Sequence, residues 1–340
     1  MITISDVARE AGVSTATISR VLHNSDSVKP ATRDIVLATI RRLNYNPNAL
    51  ARQMRTQKTH SVIVTVPDIG NLFFSEVIYG IERSARKHGY QIMLVDMHEQ
   101  SELEDYYFQA IQQHTIDGII SLSASVAKSL MEKVAEKYPI VVACQYLENY
   151  SVPNVTIDNI RAAEAMTEHL ISLGHKKIAH ISGPPSELLY RNRLNGYLSA
   201  LSKHHFNIDL ELVKYGLPTI QDGYNNMKSL LEQDSSITAV FAAGDVIAFG
   251  AIKAIKDAGL RVPEDCAVVG FDDLDMAAFL TPALTTVRQP RKEIGDTAFD
   301  MLLTLMEHKQ VEQTQVVLDY ELIIRDSCGY RMIQKNKQKK

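Results

Sequence analysis

Long apolar runs are missing from this sequence: nothing in its 340 residues approaches the roughly 18 uninterrupted apolar positions that a bilayer span requires. The opening MITISDVARE has neither the basic nor the hydrophobic region of a secretory signal. A cytoplasmic protein with no membrane partner is therefore expected. Cysteine is scarce too, and Cys144, Cys266 and Cys328 are widely separated and odd in number. That argues against a disulfide framework and for a reducing compartment, with the thiols serving as small buried hydrophobes. Neither cysteines nor histidines fall at metal-ligand spacing, so no metal and no cofactor is expected. GxxxxGKS/T, GxGxxG after a strand, HExxH and GxSxG are all absent, which argues against an enzyme.

What is present is an ordinary globular composition, 45% hydrophobic and 22% charged, in a chain too long for one usual domain. At least two folded units with real cores follow. The charge is divided unevenly. Residues 1–58 hold nine Lys and Arg against four Asp and Glu, net +5, while the remainder holds 27 against 36, net −9. A small basic head can neutralise phosphates; an acidic body is repelled by them.

Within the head, Thr3-Ile-Ser-Asp6 predicts a helix start: a hydroxyl caps orphan amides, and a carboxylate follows near the positive end of the dipole. Val7, Ala8 and Ala11 supply a small apolar face, Gly12 a turn, and Ser14 the cap of a second helix running through Leu22. That second helix is short, hydroxyl-rich and carries Arg20, a surface suited to phosphate oxygens and base edges. Pro30 fits the first turn of a third helix, whose Val36, Ile40 and Leu43 fall at i, i+4 and i+7. Two short helices about a glycine turn fit DNA-binding geometry; on pattern alone a small helical bundle for protein contacts stays open. Asn46-Pro47 to Arg55 predicts a further helix too short to stand alone. If two copies pair over DNA, its Leu50 and Met54 share a face that could wedge into a minor-groove step.

The body alternates strand-length apolar runs with amphipathic stretches. Ser61–Asp68, Tyr90–Asp96, Asp117–Leu122 and Pro139–Cys144 form one series; Lys177–Gly183, Glu211–Tyr215, Ala239–Asp245 and Cys266–Asp273 form a second. This is the pattern of βαβ units and parallel sheets buried on both faces. Two series predict two lobes, with ligands at the carboxyl ends of the strands. Phe73 and Phe74 stand after the first strand, and two adjacent aromatics entering a helix fit a core as well as a pocket. Asp245, Asp272 and Asp273 stand where apolar runs stop, which fits solvent-facing helix caps as well as a ligand site. A lone Arg193 reads as a surface charge on a helix.

The run from Ile4 to Leu22, with Val28, Thr32-Arg33, Leu43-Asn-Tyr45, Pro47-Asn48 and Ala51-Arg52, resembles the head of the lactose/galactose repressor (LacI/GalR) family. The resemblance continues through Gly174-His175, Ser182-Gly-Pro184, Arg193, Gly196, Asp245, Val269-Gly-Phe-Asp-Asp273, Leu284-Thr-Thr286, Gln289-Pro290, Ile294-Gly295 and Arg325. It implies an N-terminal all-α helix-turn-helix head followed by a two-lobed α/β domain like a periplasmic binding protein, built on two doubly wound parallel sheets. It also implies that Thr15, Ala16 and Arg20 read bases, that Ser14, Thr17 and Asn24 support them or contact the backbone, and that Met54 is the minor-groove wedge; Thr3 and Leu50 are expected among the DNA-binding residues. In the body it implies that Arg193 and Asp272 hold effector hydroxyls and that Phe73 and Phe74 line the pocket. Gly244 replaces an Asn, and Pro218 an aromatic, found in several sugar-binding members. Within the family, Pro67-Asp-Ile, Phe73-Phe-Ser-Glu76, Gln289-Pro-Arg291 and Glu321-Leu-Ile-Ile-Arg325 are most similar to nucleoside-responsive members. The implied effector is a nucleoside first and a sugar second.

The expected organisation is a DNA-binding domain at 1–45, a hinge helix at 46–58, an effector and dimerisation domain at 59–328, and a basic tail at 329–340. The first lobe spans 59–158 and 289–319; the second spans 159–288 and 320–328. The tail is Lys-rich and without leucine heptads, so it offers no coiled coil for a tetramer and is expected to be disordered. A homodimer on palindromic double-stranded operator DNA is the simplest state.

Overall fold

The computed structural model describes residues 2–23, 27–45, 58–97, 109, 113, 115–124, 128, 138–148, 151–309, 311–332 and 334. The chain divides into two compact units, Met1–Thr59 and His60–Lys340.

The first unit contains α1 (Ile4–Ala11), α2 (Thr15–His23) and α3 (Pro30–Leu43). α1 starts where Thr3 and Asp6 cap each other: the Asp6 N–H donates to the Thr3 hydroxyl, and the Asp6 carboxylate takes the Thr3 N–H at 3.0 Å. Such a cap contributes about 1 kcal/mol. α1 stops at Gly12, whose φ of 65° is left-handed backbone that glycine enters without a Cβ penalty. Ser14 then caps α2, its Oγ accepting the Thr17 N–H at 3.2 Å. α3 opens on Pro30, where a missing N–H costs no helical bond. Val7, Ala8, Ile18, Val21 and Val36 form the core, with Ile40 and Leu43 packed against it. A 2.8 Å contact from Arg42 to Glu10 ties α3 to α1.

The second unit is built on two sheets. The larger contains β1 (Ser61–Val66), β2 (Gln91–Asp96), β3 (Gly118–Ser121), β4 (Ile140–Ala143), β5 (Asn154–Ile157) and β11 (Gln315–Leu318), all parallel, in the order β11-β5-β4-β3-β1-β2. The smaller contains β6 (Ile178–Ser182), β7 (Val213–Tyr215), β8 (Ala239–Ala242) and β9 (Ala267–Val269), also parallel, in the order β7-β6-β8-β9. An antiparallel pair, β10 (Thr286–Arg288) with β12 (Glu321–Ile323), runs beside β9 through bridges Val269 to Thr285 and Asp272 to Arg288.

The apolar strand runs are explained by burial on both faces. In β1, Val62, Val64 and Val66 face one core with α4 (Leu72–Lys87) and α10 (Arg291–Met306), while Ile63 faces the other with Ile119, Ile140 and Val142. In the smaller sheet, α5 (Asn159–Ser172) and α6 (Leu188–Lys203) cover one face; α7 (Ile220–Gln233) and α8 (Asp245–Asp257) cover the other, and the short α9 (Asp275–Phe279) follows β9. α4 and α10 cross at Gly80 and Gly295, where a Cβ on either would collide with the partner helix's backbone. β2 departs from the expectation of a doubly buried strand: it lies at the sheet edge and leaves Met93 and Leu94 exposed. Strands β5, β10, β11 and β12 escaped the sequence reading because each is a short run that opens on a polar residue, Asn154, Thr286, Gln315 and Glu321.

The chain passes between the two sheets three times, after β5, after β10 and between β11 and β12. Those passages bring residues from both sheets' carboxyl ends together.

Candidate nucleic-acid interface and ligand site

On the head, α2 presents Thr15, Ala16 and Arg20 to solvent while Ile18 is buried. Ala16 and Arg20 are four residues apart and share a helical face. Ser14 and Thr17 join their hydroxyls at 2.9 Å beneath the start of α2, so these two groups are already committed to the cap. Thr3 is committed likewise, its hydroxyl donating to Asp6 at 2.7 Å. The first turns of α2 and α3 contain no acidic residue, which leaves the positive ends of both helix dipoles without a competing carboxylate. Asn24, Leu50 and Met54 lie outside the described residues, as does the expected hinge helix.

In the second unit the structure brings Arg193 and Asp272 together. Arg193, on α6, is 5% exposed, which corrects the reading of a surface charge. Its Nε donates to Asn159 Oδ1 at 3.0 Å and its Nη1 to the Ala243 carbonyl at 2.5 Å, while Nη2 lies 3.4 Å from Asp272 Oδ1. The guanidinium sits 3.6 Å above the centre of the Phe271 ring. The charge, each of the three nitrogens and the flat face thus have a partner, which is what makes a buried guanidinium tolerable.

Asp272 Oδ1 also accepts from Gln289 Nε2 at 2.7 Å. Its Oδ2 faces the bare backbone of Gly244, 3.5 Å from where a Cβ would stand. Burial pushes the Asp272 carboxyl above its ordinary range, and the nearby Arg193 opposes that shift. Ala243 and Gly244 follow β8, and Asp272 follows β9, so the pair stands at the carboxyl ends of parallel strands. These are the positions where open α/β sheets hold ligands.

The neighbouring acids are not solvent-facing caps. Asp245 is fully buried, and Asp273 is buried between Arg288 and Arg325, each at 2.7 Å. Phe73 and Phe74 are buried in the first core, their rings 5.3 Å apart and edge-to-face. Leu274, two residues beyond Asp272, packs into that same core. The 272–274 turn thus runs from the charged pair into the core that holds the aromatic pair. Across the same seam Asn192 donates to the Tyr146 hydroxyl at 3.2 Å, and Arg191 meets Glu148 at 2.8 Å.

Asn159, the buried acceptor for Arg193, was not singled out from the sequence because an Asn after an Asp at a helix start carries no signal beyond capping. No group of three or more His, Cys, Asp and Glu residues able to hold a metal occurs among the described residues, and no described helix is long and apolar enough to cross a membrane.

Residues 3–48 match the bacterial regulatory proteins of the lacI family, and residues 59–325 match the periplasmic binding proteins and sugar binding domain of the LacI family. The chain belongs to the LacI family. As a LacI-family member it is a DNA-binding transcriptional regulator and not an enzyme, which decides between the helix-turn-helix and the generic bundle. It is 38% identical over 326 residues to the HTH-type transcriptional repressor CytR of Escherichia coli strain K12, covering 96% of each chain. The lac repressor dimer bound to operator and the anti-inducer ONPF superposes with a TM-score of 0.84 at 27% identity, over 96% of this chain and 99% of that one. The transcriptional regulator CelR in complex with cellobiose gives a TM-score of 0.74 at 30% identity, over 96% and 100%.

Proposed function

We propose that this LacI-family regulator is a cytoplasmic repressor that binds a palindromic operator as a homodimer, and that a nucleoside or sugar held by Arg193 and Asp272 sets its operator affinity. The observation that carries the effector half is the buried Arg193–Asp272 pair at the strand ends, with Asp272 Oδ2 facing bare backbone at Gly244. A carboxylate oxygen accepts a hydroxyl, and a guanidinium donates to ring or hydroxyl oxygens, so the pair suits a ribose or a pyranose. Phe73 and Phe74 form its apolar side. A nucleoside is favoured by the similarity of the Phe73-Phe74 and Gln289-Pro290 segments to nucleoside-responsive members; the likeness to a cellobiose complex supports a disaccharide as the second reading.

In the same proposal residues 1–45 are the reading head, 46–58 the hinge, 59–328 the effector and dimerisation domain, and 329–340 a basic tail. Thr15, Ala16 and Arg20 meet base edges, Thr3, Ser14, Thr17 and Asn24 meet or support the backbone, and Leu50 and Met54 meet the minor groove. The net +5 of residues 1–58 supports phosphate contact. Effector and operator are linked, so each alters the other's affinity by the same factor.

The test has two arms. Selection of random duplexes on the purified protein should yield a palindrome, and Arg20→Ala should weaken its binding by about 1–3 kcal/mol, roughly 5- to 150-fold. Undiminished binding by that variant sinks the recognition-helix assignment. A melting-temperature screen against cytidine, other nucleosides, ribose and cellobiose identifies the effector class, because a ligand of the folded state raises the transition by mass action. A shift that survives in Asp272→Ala removes the pocket assignment.

A further inference from the structure

Asp245 stands apart from the charged pair, yet it is more deeply buried than either member. It is the first residue of α8 and is fully inaccessible. Its Oδ2 accepts the Leu274 N–H at 2.7 Å, its Oδ1 accepts the Thr286 hydroxyl at 2.6 Å, and its own N–H donates to the Phe271 carbonyl at 2.7 Å. One residue thereby clamps both ends of the segment Phe271-Asp272-Asp273-Leu274 and fastens it to β10. Gly270 leaves room for the clamp, since a Cβ there would collide with Asp245 Oδ1.

The clamped segment needs holding. Asp272 has φ 116° and Asp273 has φ 51°, a left-handed conformation that side-chain-bearing residues keep only where their surroundings over-determine it. Released, the turn would relax to negative φ and swing the Asp272 carboxylate away from Arg193 and Gln289. It would also draw Leu274 from the first lobe's core, the cluster that includes Phe73 and Phe74.

We propose that Asp245 is a positioning residue: it fixes the 271–274 turn so that Asp272 presents its carboxylate to the effector and Leu274 stays anchored in the opposite lobe. The effector half of this proposal rests on the reading of Arg193 and Asp272 above; the anchoring of Leu274 does not. Asp245 touches no effector, and its action runs through the turn. An Asn can replace it in outline, because its Oδ1 can take the Leu274 N–H while its Nδ2 donates to the Thr286 hydroxyl, which can also accept.

The experiment uses the full chain as wild type, Asp245→Ala and Asp245→Asn. Amide hydrogen exchange is measured in peptides covering 270–276 and 71–78, and affinity is measured, well below the melting transition, for whichever of cytidine, ribose and cellobiose shifts the wild type. Asp245→Ala should speed exchange about tenfold in both peptides, the change expected when hydrogen bonds to a buried carboxylate are lost, and should weaken that ligand about tenfold as well. Asp245→Asn should restore both. A merely local structural role predicts lower thermal stability with exchange unchanged across 71–78 and ligand affinity intact, and that result overturns the proposal. If neither these three ligands nor any other nucleoside of the melting-temperature screen shifts the wild type, the effector reading fails, while exchange across 71–78 still decides whether Asp245 anchors Leu274. Should Asp245→Ala not fold, Thr286→Val removes one arm of the clamp and should reproduce the exchange pattern more weakly; no change in 271–274 would refute the clamp.

Discussion

Replacing Arg193 by Lys keeps the charge and removes the fork, and the structure sets what that should cost. The guanidinium serves Asn159 Oδ1, the Ala243 carbonyl and Asp272 through three different nitrogens while its flat face covers Phe271. An ammonium on a single stem can keep Asp272 and at most one of the neutral acceptors. At least one buried acceptor is left without its donor, at about 1–3 kcal/mol, and the stacking over Phe271 is lost at about 0.5–2 kcal/mol. A net loss of about 3 kcal/mol corresponds to a melting temperature lower by about 6–12 °C for a unit of this size. The assay is thermal unfolding followed by far-UV circular dichroism, because the chain has no tryptophan to report by fluorescence. Arg193→Met should cost more, about 3–5 kcal/mol, since it strands Asp272; adding Asp272→Asn should recover part of that loss. A Lys variant melting within about 2 °C of wild type would refute the three-way role of the guanidinium.

Ile18 is fully buried at the centre of the head, so Ile18→Ala should cost about 2–5 kcal/mol there and abolish operator binding while leaving effector binding by the second unit intact. Loss of both activities would contradict the division into two units. His180 is buried with Nδ1 bonded to the Phe241 carbonyl at 2.9 Å, Nε2 unpartnered, and its ring stacked on Tyr197. Burial pushes its pKa from 6.5 down to about 4. Below 6.5 the unfolded chain takes up a proton that the folded chain refuses, so the stability present above 6.5 is lost as pH falls towards 4, by about 1.4 kcal/mol per unit. His180→Phe keeps the stack and removes that slope. Melting curves between pH 6.5 and 4.5 should therefore fall less steeply for the variant, and parallel curves would contradict the assignment.

Much of the local architecture was legible. Thr3 with Asp6, Gly12, Ser14 and Pro30 act on backbone groups within a few residues of themselves, so their pattern predicts α1, the turn, α2 and α3 with little help from elsewhere. The apolar runs at Ser61, Asp117, Pro139, Lys177 and Ala239 were legible for a related reason: a strand buried on both faces tolerates few polar residues, whatever lies above or below it. Strands β5 and β10–β12 were not, because each is a short run that opens on a polar residue, and their pairing comes from partners far along the chain.

The sequence by itself determined the kind of protein this is: a basic capped helical head, a glycine turn, and an acidic body of repeated strand and helix, all encoded in neighbours a few residues apart. Only the tertiary structure decided what the charged residues touch. Arg193 lies 79 residues from Asp272 and 34 from Asn159, and nothing local distinguishes it from a solvated arginine on a helix. Asp245, Asp272 and Asp273 are marked in the sequence as carboxylates where apolar runs stop, but caps and a buried site are not told apart until β8, β9 and β10 are side by side. Desolvation and the hydrogen bonds that compensate it depend on distance in space, and the chain establishes those distances only by folding.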